Sequence, residues 1–328
     1  MIEIKAQKDL GTVVQWQLSK FCEKNCHYCT AYDFMLSLKT GVHVHYEPEV
    51  LKYHEHIKEL LISGIDHGQI LLFGGEPTLH PNGIEYFNEM CRRTGPDVMI
   101  LLTTHGDISV DKINQFNPGN KKEHIVAVSY HHYQVNFEEW WTKVQMLNKR
   151  VNVMVSSIIP RRPRVWDAWK RNMDIVLDSG IVVEFKPELK KEDNTIDPIS
   201  VSAFKDYVIA GEQTIRSASF TQSGLSEWID ISDGNSKVRI PRSGLADEIR
   251  LQPGKTICNN KNHMIVDNTL YVACGQGQPQ TINKDTTVEE FKRYINSPPI
   301  ICRNTTCQGD RYNPPHIKIL NADLKSWT

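Results

Sequence analysis

The sequence predicts an α/β fold in which helices cover a parallel sheet of six strands. Over the first 190 residues, short segments that are rich in β-branched residues and apolar on both faces alternate with longer amphipathic segments. Each pair of strand segments is separated by enough chain for one helix, as right-handed βαβ units require. We therefore expect a partial (β/α)6 TIM-like barrel, with a doubly wound open sheet as the alternative.

The individual elements follow from the same alternation. The expected strands are 12–18, 69–73, 97–103, 124–130, 151–159 and 181–186. The expected helices are 47–63, 83–93, 109–116, 136–148 and 165–179. Asn136 is suited to cap the fourth helix, and Glu139 three residues later completes the pattern of a capping box.

The texture of the chain changes after residue 190. A polar segment that ends in proline, 190–198, indicates a boundary. Turn signals at Asp233-Gly234-Asn235 and at Asp267-Asn268 each separate two strand-like segments and predict two hairpins. These features divide the chain into a barrel (1–190), a connecting segment with a possible hairpin (191–250) and a small β-containing C-terminal module (251–328).

Composition excludes several classes of partner. The formal net charge is −1, so the chain as a whole has no electrostatic attraction to nucleic acid or to an anionic membrane surface. No window approaches 18 uninterrupted apolar residues, and the first residues lack the apolar core of an export signal. We therefore expect a cytoplasmic protein that does not bind membranes.

Seven of the eight cysteines fall into two groups, one of three and one of four, which predicts two separate metal sites. Cys22, Cys26 and Cys29 directly follow the first expected strand, where the loops of a parallel barrel form the active face. Thiolates bind iron–sulfur clusters well, and three of them leave one iron of a four-iron cube open. A structural zinc ion normally takes four ligands. Cys91 stands alone and is expected in the core.

The cysteine segment CEKNCHYC resembles the CxxxCxφC signature of the radical S-adenosylmethionine (SAM) superfamily, and GGEP, one strand later, resembles a second motif of that family. The resemblance implies a [4Fe–4S] cluster on Cys22, Cys26 and Cys29 whose open iron is chelated by the amine and carboxylate of SAM. It also implies an enzyme that cleaves SAM reductively to a 5′-deoxyadenosyl radical, which abstracts a hydrogen atom from the substrate. An electron donor such as flavodoxin or ferredoxin would be a partner.

The resemblance assigns further residues to the binding of SAM. Tyr28 would lie against the adenine, and Thr104 belongs to a turn that resembles the family's TNG-like turn, with His105 in place of asparagine. Ser129 would touch the SAM carboxylate or ribose, although the SLDG form common among relatives is absent, as is a GxIxGxxE motif. The residues that would meet the SAM amine are Gly74, Gly75, Glu76 and Pro77.

The C-terminal cysteines resemble the twitch or SPASM-type extensions of radical SAM barrels. The set is Cys258, Cys274, Cys302 and Cys307. It implies one auxiliary [4Fe–4S] cluster, which would conduct electrons or brace the fold. A structural zinc ion and unliganded thiols are the alternatives. The segment departs from those relatives at Thr269, where they usually have glycine.

The expected substrate is a peptide or protein side chain, because the twitch/SPASM-like module is typical of such enzymes. A nucleoside or another small molecule is the alternative, and the basic loop of Arg161, Arg162 and Arg164 would suit an anionic one. Glu184, Lys186 and Glu188 close the sixth strand and are candidates for substrate contact.

Two other functions stay open at this stage. His43 and His45 form an HxH pattern that, with His105, His131 and His132 at later strand ends, is also typical of barrel metallohydrolases. In those enzymes, however, HxH ends the first strand, a position that the cysteines occupy here. A non-enzymatic iron–sulfur electron carrier would use both cysteine groups but would leave GGEP without a role.

Overall fold

The computed structural model describes residues 2–6, 11–24, 26, 29, 36–37, 46–119, 124–160, 162–187, 228–232, 237–241, 256–259, 262–272, 278–296, 300–302 and 316–319. No helix within these ranges is long and apolar enough to cross a membrane. The described strands are β1 (Ile2–Ala6), β2 (Thr12–Ser19), β3 (Phe21–Cys22), β4 (Leu36–Ser37), β5 (Gly68–Gly74), β6 (Val98–Thr104), β7 (Ile125–Tyr130), β8 (Asn152–Ile159), β9 (Val182–Pro187), β10 (Trp228–Ser232), β11 (Lys237–Pro241), β12 (Thr256–Asn259), β13 (Asn262–Val266), β14 (Thr269–Val272), β15 (Gln280–Thr281), β16 (Ile300–Cys302) and β17 (His316–Ile319). The described helices are α1 (Pro48–Gly64), α2 (Gly83–Arg93), α3 (Val110–Gln115), α4 (Phe137–Asn148), α5 (Trp166–Asp178) and α6 (Val288–Ile295).

The main sheet confirms the predicted α/β fold. Its order is β15-β14-β13-β2-β5-β6-β7-β8-β9, and the six strands from β2 to β9 in this order are parallel neighbours joined by α1 to α5. Each lies within two residues of its predicted position. Asn136 caps α4 as predicted, because its side chain accepts a hydrogen bond from the backbone N–H of Glu139 at 3.2 Å.

Side chains on the helix-facing side of the sheet form the main core. Trp16 on β2, Phe87 on α2 and Trp169 on α5 are at most 1% exposed and belong to one apolar cluster. The opposite side of the sheet carries a second, smaller apolar layer. Its members are Met99, Leu101, Ile125, Ala127, Met154 and Val182. Parallel strands that are covered on both sides explain why the predicted strands are apolar almost throughout.

The C-terminal hairpin lies in the main sheet. β13 and β14 pair antiparallel at the place of the second expected hairpin, and Asp267 between them adopts the left-handed backbone conformation (φ 53°). β13 also pairs in parallel with β2, with His263 opposite Val14. The sequence did not predict this pairing, which places the hairpin beside the first barrel strand.

Helix α6 packs against α1 next to this hairpin. The ring of Phe291 on α6 is fully buried, and a side chain at Gly64 of α1 would meet it at 2.5 Å. The hydroxyl of Tyr53 on α1 donates to the carbonyl of Ile282 at 3.0 Å. Residues 262–272 and 278–296 therefore share a core with the barrel, whereas the boundary at residue 251 stays a prediction.

A second sheet joins both ends of the described chain. Its order is β11-β10-β1-β17-β12-β16, with all neighbours antiparallel. β10 and β11 pair at the place of the first expected hairpin. The sequence analysis did not predict β1, whose partners β10 and β17 lie more than 200 residues away along the chain.

Two buried histidines, His54 on α1 and His80 between β5 and α2, lie in contact. Nδ1 of His54 is 2.9 Å from Nε2 of His80, and the backbone N–H of Asn82 donates to Nδ1 of His80 at 3.1 Å. Because Nδ1 of His80 accepts this bond, its Nε2 carries the proton and donates to His54. Burial lowers the pKa of His54 to about 4, and burial together with the neighbouring imidazole lowers the pKa of His80 to about 3.

This pair predicts a loss of stability in weak acid. Between pH 6.5 and 4 the unfolded chain binds protons that the folded pair does not, so the free energy of unfolding falls as the pH falls. The loss between pH 7 and 5 is about 2 kcal/mol per histidine. In urea unfolding at several pH values, His54→Gln should reduce this loss by about that amount, whereas His67→Gln, which removes an exposed histidine, should not. An equal pH dependence in wild type and His54→Gln would contradict the prediction.

Candidate active site

The three N-terminal cysteines lie in the loop that follows β2. Cys22 and Cys26 are buried, Cys29 is partly buried, and the backbone N–H of Cys29 donates to the carbonyl of Cys26 at 3.1 Å. Burial raises the pKa of the Cys22 thiol to about 12, and the nearby charges of Glu23 and Glu76 act in the same direction. The Cys22 thiol is therefore protonated in the absence of a metal, and ligation by it would release a proton.

The donor set of this loop fits an iron–sulfur cluster. Three thiols, two of them buried, form a soft ligand set, which thiolate-bound iron prefers over the oxygen ligands of hard cations. Within the described residues, no group of three or more His, Cys, Asp or Glu side chains is close enough to hold one metal ion. Cys22, Cys26 and Cys29 therefore fit the cluster by their chemistry and by their common loop.

The GGEP segment packs directly against the start of the cysteine loop. The backbone N–H of Gly75 donates to the carbonyl of Ser19 at 2.8 Å, and that of Glu76 donates to the carbonyl of Phe21 at 2.7 Å. A side chain at Gly74, whose φ is 140°, would lie 2.0 Å from the Ser19 oxygen, and one at Gly75 would lie 2.2 Å from the Phe21 oxygen. The glycines are therefore needed where two backbone segments meet.

The Glu76 carboxylate is an anchor inside this arrangement. It is 1% exposed, and its Oε1 accepts from the backbone N–H of Thr78 (3.0 Å) and from the hydroxyls of Thr78 (2.5 Å) and Thr104 (2.9 Å). Its Oε2 accepts from the backbone N–H of His105 at 2.9 Å. A carboxylate accepts about four hydrogen bonds, so these donors saturate it. Glu76 therefore joins the turn after β5 to the turn after β6.

The turn after β6 also contacts the cysteine loop. Nε2 of His105 lies 2.7 Å from a carboxylate oxygen of Glu23, and Nζ of Lys24 lies 2.8 Å from Asp107. Burial disfavours a charged imidazole, but the charges of Glu76 and Glu23 outweigh it and raise the pKa of His105. Hydrogen bonds from Lys143 and Lys24 lower the pKa of Asp107 to about 2. Sequence reasoning did not assign a role to Glu23, Lys24 or Asp107.

Residues after β7 approach the second cysteine. Nδ1 of His131 and the side-chain amide of Gln134 each lie 3.5 Å from Sγ of Cys26. Burial lowers the pKa of His131 to about 3, so the ring is neutral. The sequence placed His131 among the histidines at the strand ends, and the structure places it next to an expected cluster ligand. Gln134 was not singled out.

A row of polar side chains crosses three neighbouring strands of the sheet. Ser129 on β7 is opposite Ser156 on β8, which is opposite Glu184 on β9. These positions alternate with the helix-facing core residues and continue the face that carries the smaller apolar layer. Ser156 and Glu184 are each 5% exposed. Ser129, expected at the SAM site, and Glu184, expected at the substrate site, thus share one face.

Several predicted site residues lie outside the described residues. They are Tyr28, His43, His45, Arg161, Glu188, Cys274 and Cys307.

Cys258 and Cys302 lie on the neighbouring strands β12 and β16, where Cys258 is opposite Ile300 and Cys302 is opposite Thr256. The register thus separates these two cysteines by two positions.

Comparison with known proteins defines the class of this enzyme. The family model described as the radical SAM superfamily matches residues 16–185, which is more than half of the chain. The chain therefore belongs to the radical SAM superfamily. Membership implies an enzyme that uses SAM and a [4Fe–4S] cluster with an external reductant, and it sets aside the metallohydrolase and electron-carrier alternatives.

Individual matches are distant. The chain is similar at 16% identity to BtrN in complex with AdoMet and 2-DOIA, over 66% of this chain and 89% of that one, with a TM-score of 0.32. A structure of selenomethionine BtrN in an open conformation matches at 16% identity and a TM-score of 0.28, over 45% of this chain. The match spans 58% of the length of that second structure. No curated protein matches the sequence.

Proposed function

We propose that Cys22, Cys26 and Cys29 hold the [4Fe–4S] cluster with one open iron, and that SAM binds there. The observation that carries this proposal is the position of the cysteine loop, which follows β2 and is fixed to the GGEP segment by backbone hydrogen bonds. The bound cluster and SAM would supply a hydrogen-abstracting radical. The chain itself would hold SAM, exclude water and orient the substrate.

The neighbouring residues are proposed to have separate roles in binding SAM. Because donors from the protein saturate the Glu76 carboxylate, we assign Glu76 and Thr104 to shaping the site. The backbone carbonyls of Gly74 and Gly75 are then proposed as the acceptors that an ammonium group requires, and Pro77 fixes the turn. Tyr28 is proposed against the adenine, as the family resemblance implies. Ser129 is proposed against the SAM carboxylate or ribose, and it lies on the same face of the sheet as Ser156 and Glu184.

The proposed substrate is a peptide or protein side chain, with a nucleoside or another polar small molecule as the alternative. The row of Ser129, Ser156 and Glu184 supports a polar group on the substrate, because it places two hydroxyls and a carboxylate side by side on one face of the sheet. An electron donor such as flavodoxin or ferredoxin would supply the electron for each cleavage of SAM.

The C-terminal cysteines are proposed to hold an auxiliary [4Fe–4S] cluster. The set is Cys258, Cys274, Cys302 and Cys307. The register of β12 and β16 supports a shared site for Cys258 and Cys302, because it brings two cysteines 44 residues apart in the chain onto adjacent strands.

The proposed function is tested by iron content and by SAM cleavage. Anaerobically reconstituted protein should bind about eight irons, from two four-iron cubes, and should convert SAM and dithionite to 5′-deoxyadenosine and methionine. A content of about four irons and one zinc per chain would agree with one cluster at the N-terminal cysteines. It would indicate that the C-terminal cysteines hold structural zinc and no auxiliary cluster. Zinc alone, with no thiolate-to-iron absorption and no 5′-deoxyadenosine, would overturn the proposal. Peptide and small-molecule fractions that raise 5′-deoxyadenosine formation above its uncoupled rate would identify the substrate class.

A further inference from the structure

Two consecutive residues of the cysteine loop bind the turn after β6. Glu23 and Lys24 occupy the segment between Cys22 and Cys26, and each meets a partner of opposite polarity. Glu23 lies 2.7 Å from Nε2 of His105, and Lys24 lies 2.8 Å from Asp107. A shift of the loop by one residue would bring Glu23 towards Asp107, where like charges repel. The paired contacts therefore specify one register of the loop.

The partners in the turn are themselves held in place. The His105 ring is 4% exposed, its Nδ1 accepts from the backbone N–H of Asp107 at 3.0 Å, and its Nε2 lies 3.2 Å from Glu76. Lys143 on α4 binds the second oxygen of Asp107 at 2.6 Å. Both nitrogens of the imidazole and both oxygens of Asp107 are thus engaged. The turn therefore presents His105 and Asp107 in fixed positions to Glu23 and Lys24.

We propose that His105 and Asp107 are positioning residues that fix the cysteine loop for cluster binding. This inference rests on the proposed function, because it takes Cys22, Cys26 and Cys29 as the ligands. A loop that is held before the cluster binds loses less conformational entropy on ligation. The same contacts would fix the cysteine loop relative to Glu76 and the GGEP backbone. Replacing residues that orient metal ligands without binding the metal themselves typically changes metal affinity 10–100-fold.

The test compares these residues with matched residues away from the site. His124 is also buried and joined on both sides, because its Nδ1 accepts from the backbone N–H of Ile100 and its Nε2 faces the carbonyl of Cys91. It precedes β7, at the opposite end of the strands from His105. Asp66 pairs with Lys292 at 2.9 Å on the surface and is the control for Asp107. The variants are His105→Leu against His124→Leu, and Asp107→Asn against Asp66→Asn.

The readouts are iron loss to a chelator, the electron paramagnetic resonance spectrum of the reduced cluster with and without SAM, and the midpoint potential. We expect His105→Leu and Asp107→Asn to lose iron about tenfold faster and to show an altered spectrum and potential. The two controls should differ from wild type only in thermal stability. His105→Gln retains an N–H donor towards Glu23 and should restore most of the retention of iron.

If His105→Leu does not fold, variants of the contact between Lys24 and Asp107 test the proposal instead. Lys24→Met and Asp107→Asn should each accelerate iron loss, and the double variant should lose iron no faster than either single one, because both remove the same contact. Variants whose spectra, potential and iron loss equal those of the controls would overturn the proposal. Wild-type protein that binds no cluster would instead overturn the proposed function on which it rests.

Discussion

Replacing Cys26 by alanine is expected to abolish the reductive cleavage of SAM while the chain keeps its fold. A four-iron cube held by only two of the three proposed thiolates would be labile, and the proposed SAM site would be lost with the cluster. Cys26 is 7% exposed and lies in a loop, and its change to alanine removes a single heavy atom, so the chain should keep its fold with a small loss of stability. The measurements are iron per chain, the thiolate-to-iron absorption and the yield of 5′-deoxyadenosine with dithionite.

Cys91→Ala is the matched control for this variant. Cys91 is a fully buried thiol on α2, in the core between helix and sheet, and it takes no part in the proposed cluster site. Its replacement leaves a small cavity and should lower the unfolding midpoint without changing iron content or cleavage. If Cys26→Ala formed 5′-deoxyadenosine at the wild-type rate, the assignment of the cysteine loop would be wrong.

The barrel strands could be predicted because their signal is local. A strand that is buried on both faces needs apolar side chains at nearly every position, as in Ile70–Leu72 and Val126–Val128, and such runs are visible in the sequence. The cap at Asn136 is local as well. The cysteine and GGEP motifs identified the family for a similar reason, since each motif places its chemistry within a few residues.

The pairings that could not be predicted join distant parts of the chain. Val14 on β2 meets His263 on β13, and no local pattern in either strand encodes the partner. The hydrogen bonds that Glu76 accepts from Thr78, Thr104 and His105 likewise join two turns, and the GGEP motif does not encode the donors of the second turn. The sequence does hold a weak signal for the contact between the cysteine loop and the turn after β6. The acidic–basic order of Glu23-Lys24 complements the basic–acidic order of His105 and Asp107.

Phe291→Ala is expected to lower the free energy of unfolding of the barrel itself by about 3–5 kcal/mol. Phe291 is fully buried and belongs to the same apolar cluster as Ile57 and Leu61 on α1. Deleting its ring removes this contact and leaves a cavity that two packed helices cannot close. Urea unfolding followed by tryptophan fluorescence reports on the barrel, because five of the seven tryptophans lie between residues 16 and 169.

The same contact can be disturbed from the barrel side. A methyl group at Gly64 would lie 2.5 Å from the Phe291 ring, so Gly64→Ala should also destabilise the protein, by overpacking. Tyr271→Ala removes a 36% exposed aromatic side chain from the same C-terminal segment and should change the midpoint little. If 262–296 folded independently of the barrel, Phe291→Ala would leave the tryptophan transition unchanged. A parallel loss in Phe291→Ala and Gly64→Ala, with Tyr271→Ala like wild type, would establish that this segment completes the barrel beside β2.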